Sequence, residues 1–275
     1  MKSLNIFITS LIFLSQHSFG QNIRPEIHCE HFFYGYPFGT PATNDLIIRD
    51  IYALSNNDET KFADWVAYRL SMHEVDGDLV VDRKWKADPW LDESETLEPK
   101  SGRQDDYGDA NDQLETDRGH QAPLASFKGS RHASQTNYLS NITPQKSELN
   151  SGVWKDLEGR VRDIVRDVGE VYVMTGPVYE RTMRTLPEAD ENHRIPSGYW
   201  KIVCTEANGD IEVAAFFFDQ DTPRNDKVLA HHETVDFVEQ KSGLDFFWLL
   251  ANDVESVLES TKNFAFARKY FSQED

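Results

Sequence analysis

The feature that most restricts this chain is a change of apolar period between residues 145 and 218. From Gln145 onward, Val153, Trp154, Leu157, Val161, Ile164 and Val165 recur at three- and four-residue steps, the signature of an amphipathic helix of about three to five turns. Val171–Thr175 is then a continuous apolar run that reads as a buried strand closed by Gly176-Pro177. Tyr199–Thr205 and Ile211–Phe218 flank Asn208-Gly209, a dipeptide whose tolerance of positive φ suits the tight turn of an antiparallel hairpin. Upstream, Leu46–Leu54 and Trp65–Leu70 read as strands separated by turn residues at Asn56-Asn57-Asp58. Asp236–Phe247 and Val254–Ser260 have helical patterns. With no internal repeat or Pro/Ser linker, these elements predict one mixed α+β domain with an antiparallel sheet.

The chain is 275 residues long and 39% hydrophobic, enough to bury a substantial core. Residues 1–20 have the form of a secretory signal peptide: Lys2, an apolar stretch from Leu4 to Leu14, and small residues at Ser18 and Gly20. The stretch is too short for a membrane anchor, so the expected location is secreted or periplasmic. Residues 21–45 read as an irregular arm, with the main domain spanning 46–275. Cys29 and Cys204 are the only cysteines; in an exported chain they can pair or remain two separate thiols. His28 and His31 lack a second ligand cluster at zinc spacing and read as surface or packing residues. The segment from 85 to 115 is polar and turn-rich, long for a plain connection, and is expected to be a functional surface loop.

The net charge of −19, from 28 basic and 47 acidic residues, disfavours a surface that wraps nucleic acid broadly. It leaves room for an enzyme with a locally positive groove. Asp117-Arg118-Gly119-His120 supplies such chemistry. His120 titrates near neutrality and suits proton abstraction from water. Asp117 or a backbone carbonyl would fix its other ring nitrogen. Arg118 offers a planar permanent charge for phosphate. Further along, Asn150, Trp154 and Glu158 recur every four residues. On one regular helix, Asn150 and Glu158 differ by about 80° in direction and roughly 12 Å in rise, so both can serve one site without both gripping one ion. A carboxamide oxygen at Asn150 suits a hard metal; a helix cap at Asn150 and a solvated acid at Glu158 is the plainer alternative. Arg83, Lys84, Lys86, Arg118, Lys128, Arg131, Lys146 and Arg160 are candidates for the groove.

The segments DRGHQAPLAS (Asp117–Ser126) and NYLSNITPQKSELNSGVWKDLE (Asn137–Glu158) strongly resemble the DNA/RNA non-specific endonuclease family. KFADWVAYRL (Lys61–Leu70), RKWKADP (Arg83–Pro89), VYVMTGPVYE (Val171–Glu180) and IPSGYWKIV (Ile195–Val203) extend the resemblance over nearly all of the mature chain. It implies a ββα-metal core within the mixed domain, and Mg²⁺-dependent hydrolysis of single- and double-stranded DNA and of RNA with 5′-phosphate products. Mn²⁺ would substitute for Mg²⁺. By the same resemblance, His120 is the general base and Asn150 the direct protein ligand to the metal, with Glu158 acting through metal-bound water. Arg83 stabilises the transition state, Arg118 supports the phosphate, and Asp117 orients the metal-binding residues. Asn141, and less directly Asn137, assist substrate binding or water placement. An RNA-only enzyme and a nucleic-acid-binding module without catalysis are the readings an activity assay separates from this one. A zinc peptidase is disfavoured because His231-His232-Glu233 lacks two histidines four residues apart on a helix.

Overall fold

The computed structural model describes residues 24–101, 105–207 and 209–272. The expected signal peptide, residues 1–20, and Asn208 of the expected hairpin turn lie outside the described residues. In chain order the strands are β1 (Asp45–Ile48), β2 (Ala53–Asn56), β3 (Ala63–Ser71), β4 (Thr116–His120), β5 (Ile142–Lys146), β6 (Glu170–Val178), β7 (Gly198–Ala207), β8 (Asp210–Asp219) and β9 (His232–Glu233). The helices are α1 (Met72–Val75), α2 (Ala110–Leu114), α3 (Ser147–Asn150), α4 (Val153–Val168), α5 (Val235–Ser242), α6 (Asn252–Ser260) and α7 (Phe264–Phe271).

Seven strands form one sheet in the order β1-β2-β3-β6-β7-β8-β9, and each neighbouring pair is antiparallel. Both faces of this sheet are covered, which explains why its central strands read as apolar runs rather than strict alternation. On β3, Val66, Tyr68 and Leu70 join one core and Trp65 and Ala67 the other. On β7, Tyr199 and Val203 face the first layer, and Trp200, Ile202 and Cys204 the second. The first layer is built on α4, whose Val153, Trp154, Leu157, Val161, Ile164 and Val165 are buried as their spacing predicts. The second layer holds α5 and the aromatic residues Phe33 and Tyr36 of the irregular amino-terminal arm. Cys29 and Cys204 are free thiols. His31 is buried and its Nε2 lies 2.9 Å from the Arg49 carbonyl, a packing role. Among the described residues no helix is long and apolar enough to cross a membrane.

Several boundaries differ from the sequence reading. Leu46–Leu54 is not one strand: it turns at Arg49–Tyr52, where Arg49 N donates to Tyr52 O at 2.8 Å, and splits into β1 and β2. The buried guanidinium of Arg49 pairs with Asp88, so a tertiary ion pair accompanies the turn. Gly176-Pro177 does not end β6, because Gly176 and Pro177 sit opposite Trp200 and Tyr199 within the ladder. The helical rhythm of Asp236–Phe247 stops at Ser242, where Gly243 turns left-handed at φ 75°. The carboxyl-terminal segment forms α7, and Phe271 packs at 4.7 Å on Phe216 of β8.

The most consequential difference lies at the start of the long helix. Gln145 belongs to β5, and the helical segment is broken at Ser151-Gly152 into α3 and α4. A Cβ on Gly152 would come within 2.4 Å of the carbonyl oxygens of both Arg224 and Glu148. Only glycine lets those two backbones approach here. Gly152→Ala is expected to destabilise the fold by roughly 1–3 kcal/mol, as overpacking does, read as a lower urea midpoint with an unchanged m-value. An unchanged midpoint would show that the backbone relaxes freely at this break.

Candidate active site

The hairpin β4–β5, α3 and α4 follow one another as strand, strand and helix, and the functional side chains are spread along them. The register pairs Asp117 with Gln145, Arg118 with Pro144, Gly119 with Thr143 and His120 with Ile142. Side chains alternate along a strand, so Arg118 and His120 project to one side of β4 and Asp117 to the other. A Cβ on Gly119 would lie 2.7 Å from Gln145 Cβ and Oε1; glycine there lets the two strands close without displacing Gln145.

A cleft of about 610 Å³ opens over this hairpin, lined among others by Arg83, Trp85, Asp117, Arg118, His120, Asn150, Glu158 and Arg162. His120 and Asn150, separated by thirty positions in sequence, thus face one space.

His120 is held by Asn137, not by Asp117 or a backbone carbonyl as expected. Its Nε2 lies 3.2 Å from Asn137 Oδ1. Asn137 Nδ2 donates to the Asp82 carbonyl at 3.2 Å. That carbonyl can only accept, so the amide oxygen must face the imidazole, and the shared proton sits on His120 Nε2. Nδ1 is then the ring nitrogen with the free lone pair. Shielding of the ring, reinforced by its contact with Trp85 at 5.4 Å between centroids, pushes the imidazole pKa down to about 4. The hydrogen bond that His120 donates to Asn137 opposes this shift and the Arg83 charge adds to it.

Asp117 instead organises the side of the cleft that carries Asn150. Its Oδ2 accepts from Asn150 Nδ2 at 2.9 Å and from Ser151 Oγ at 3.3 Å. Its Oδ1 accepts from Ser147 Oγ at 2.8 Å and Asn111 Nδ2 at 3.2 Å. With its amide nitrogen committed to a carboxylate, Asn150 keeps its carboxamide oxygen for the cleft. Because the helix is broken at Gly152, the regular-helix angle between Asn150 and Glu158 does not apply: α3 carries Asn150 and α4 carries Glu158. Oxygen donors from a carboxamide and a carboxylate fit a hard divalent ion.

Burial raises the Glu158 carboxyl pKa, while the charges of Lys201 and Arg162 pull it down. Lys201 rises from β7 beneath it, is fully buried, and packs its Nζ 4.5 Å from the Trp154 ring. Burial pushes the Lys201 ammonium down to about 8, and the Glu158 charge opposes that. The two groups therefore favour each other's charged forms.

Arg118 is engaged by protein groups: it donates to Asp105 Oδ1 at 2.7 Å and lies over Tyr107 at 5.0 Å. Asp105 and Tyr107 come from the long segment 85–115, which therefore walls the cleft as its length suggested. Arg83 lines the cleft and forms no ion pair among the described residues. Asn141 is corrected. Its side chain is fully buried, with Oδ1 accepting from Ala122 N at 2.9 Å and Nδ2 donating to the Ala122 and Thr136 carbonyls. It braces the backbone leaving His120 and is not among the residues lining the cleft. Asn137 is also fully buried, so its place is behind His120 rather than on nucleic acid.

Of the eight basic residues proposed for the groove, Arg83 and Arg118 line the cleft; Lys155 and Arg162 complete its positive side. Lys84 pairs with Asp82 and Lys146 with Glu115. Arg162 follows Glu158 by four residues, a helical spacing that sequence could have revealed. Lys201 also had a signal: it is one lysine within the run Tyr199–Cys204, whose other residues are aromatic, aliphatic or cysteine.

Residues 31–253 match the DNA/RNA non-specific endonuclease family. The chain belongs to this family. It is 43% identical over 229 residues to a nuclease of Serratia marcescens, covering 82% of this chain and 83% of that protein. It is 30% identical over 227 residues to the mitochondrial endonuclease G of Bos taurus, covering 76% of this chain and 71% of that protein. A solved structure described as an EndoG/EndoGI complex shares the fold with a TM-score of 0.63 at 24% identity, covering 79% of this chain and 90% of that one. The chain is thus a nuclease with an α+β domain that contains the ββα arrangement of the family. The described residues also include three acidic groups close enough to hold a cation: Asp45/Asp58/Glu95, Glu98/Asp106/Glu191 and Asp236/Glu239/Glu259. None contains Asn150 or Glu158, so the cleft is distinct from all three.

Proposed function

We propose that this endonuclease hydrolyses phosphodiester bonds in both DNA and RNA, without base specificity, using Mg²⁺ or Mn²⁺ and leaving 5′-phosphate ends. The observation that carries the reading is one cleft lined by a His120 whose Nδ1 is free and an Asn150 whose amide nitrogen is tied back to Asp117. Asn150 Oδ1 would hold the ion directly and Glu158 would reach it through water. A divalent ion there would neutralise charge on a phosphate oxygen and on the departing oxygen.

The protein's own groups account for the remaining steps. His120 Nδ1 takes a proton from the attacking water as its oxygen bonds to phosphorus. Asn137 keeps the ring oriented and stabilises the imidazolium through Nε2–H. Arg83, free of an ion pair among the described residues, balances charge on the non-bridging oxygens. The bond from phosphorus to the 3′ oxygen breaks, that oxygen takes a proton from solvent, and the phosphate stays on the 5′ side. Phosphate contacts are insensitive to base identity, in keeping with broad cleavage.

The deciding experiment incubates the purified protein with circular DNA and, separately, with RNA, with Mg²⁺ and with chelator. Cleavage of both substrates, lost with chelator, is expected, and the new ends should ligate without prior phosphorylation. Cleavage of RNA alone, or undiminished cleavage in chelator, would overturn the reading. The apolar stretch Leu4–Leu14 supports export; a mature chain beginning near Gln21 outside the producing cytoplasm is the expected observation.

A further inference from the structure

On the sheet face away from the cleft, α5 and α6 bring three carboxylates together. Asp236 lies in the first turn of α5, Glu239 one turn later, and Glu259 in the last turn of α6. One oxygen from each lies within 4.8 Å of the others. Glu259 is only 7% exposed, and its Oε1 is buried without a hydrogen-bond partner. The charges bearing on Glu259 are those of Glu239, Glu255, Asp236 and Asp245, all negative. Arg24 pairs with Asp245 at 2.6 Å, which offsets one of these. Glu239 spends one oxygen on the Phe246 backbone N–H at 2.9 Å.

A buried carboxylate oxygen facing other carboxylates is costly unless something positive meets it. Calcium binds carboxylate oxygens at about 2.3–2.6 Å, so two oxygens on opposite sides of one ion are at most about 5 Å apart. The triad meets that limit, and a cage of protein carboxylates suits Ca²⁺, whereas Mg²⁺ usually keeps several waters and is seldom held by an all-protein cage. Asp236 is solvent-exposed and provides the entry side. We infer that Asp236, Glu239 and Glu259 form a Ca²⁺ site, separate from the catalytic cleft, that ties α6 to α5. The rival is a proton held between the acids: burial, then the neighbouring charges, lift Glu259 to about 8, and burial lifts Glu239 to about 7.

The test follows thermal unfolding of the chelator-treated full chain against CaCl₂ from zero to about 10 mM, with ionic strength held constant by KCl. A weak extracellular-type site would raise the Tm of the wild type by about 3–10 °C over that range. Glu259→Gln and Asp236→Asn should each lose most of that rise, and equilibrium dialysis should find one fewer calcium per chain in Glu259→Gln. Asp236→Asn changes an exposed first-turn residue and serves if Glu259→Gln does not fold. Equal rises in wild type and variants would place all calcium elsewhere, for instance in the cleft, and overturn the site. So would a wild type indifferent to calcium whose Glu259→Gln variant is simply more stable at neutral pH, the result a shared proton gives. Because wild type and variants keep the same cleft, failure here leaves the nuclease reading untouched.

Discussion

Replacing His120 with alanine is expected to lower kcat by about 10²–10⁴-fold, the range over which a positioned general base contributes. The residual rate should come from the metal and the arginines, which remain. KM and thermal stability should change little, since the ring sits at the edge of the cleft and its removal leaves the β4–β5 ladder intact. A companion measurement separates a chemical role from a packing role. With its pKa pushed down to about 4, His120 stays neutral and able to accept a proton well below pH 6.5. The acid limb of kcat/KM for the wild type is therefore expected below the ordinary imidazole range, and it should vanish in the residual activity of the variant. Asn137→Ala removes the hydrogen bond that raises this pKa, so the surviving acid limb should move lower still. A His120→Ala enzyme within a few-fold of wild type would eliminate the proposed base.

Asn150→Ala should have the other large effect. On the proposed reading the variant loses a direct ligand, so the metal concentration needed for half-maximal rate should rise by more than the roughly 10–100-fold typical of losing an outer partner. Asp117→Ala provides that milder case. It leaves the carboxamide in place but frees it to rotate, because four donors, from Asn111, Ser147, Asn150 and Ser151, lose their acceptor. The two variants should therefore rank in that order in metal titrations, and rates at saturating metal should recover further for Asp117→Ala. Titrations that coincide with wild type for Asn150→Ala would remove it as a ligand.

The correspondence between residues and structure was uneven, and the reasons differ by site. The apolar steps along α4 and the Asn-Gly hairpin between β7 and β8 are local signals in which spacing and backbone preference agree, and both elements formed close to where those signals lie. His120, Asn150 and Glu158 were named from short motifs, and all three line one cleft. Their supports were less visible. Asp117 was offered both as a partner for the His120 ring and as an organiser of the metal-binding residues; it bonds Asn150 and not the imidazole, because strand alternation turns it away from the ring. Asn141 looked like a polar residue offered to substrate, yet its amide is consumed by the Ala122 and Thr136 backbone. A polar side chain in a motif does not reveal which way it faces.

The amino-acid sequence alone indicated the family, the alternation of one long helix with hairpin strands, and the residues His120, Asn150 and Glu158 that line the cleft, since each depends on neighbours a few positions away. Tertiary packing decided the rest. The break at Gly152 is set by the Arg224 backbone more than seventy positions later. The imidazole tautomer follows from the Asp82 carbonyl acting through Asn137. Lys201 meets Glu158, and Glu259 meets Asp236 and Glu239, only because sheet and helices stack. Charges buried between elements are governed by three-dimensional proximity and lost solvation, and neither quantity has a period along the chain.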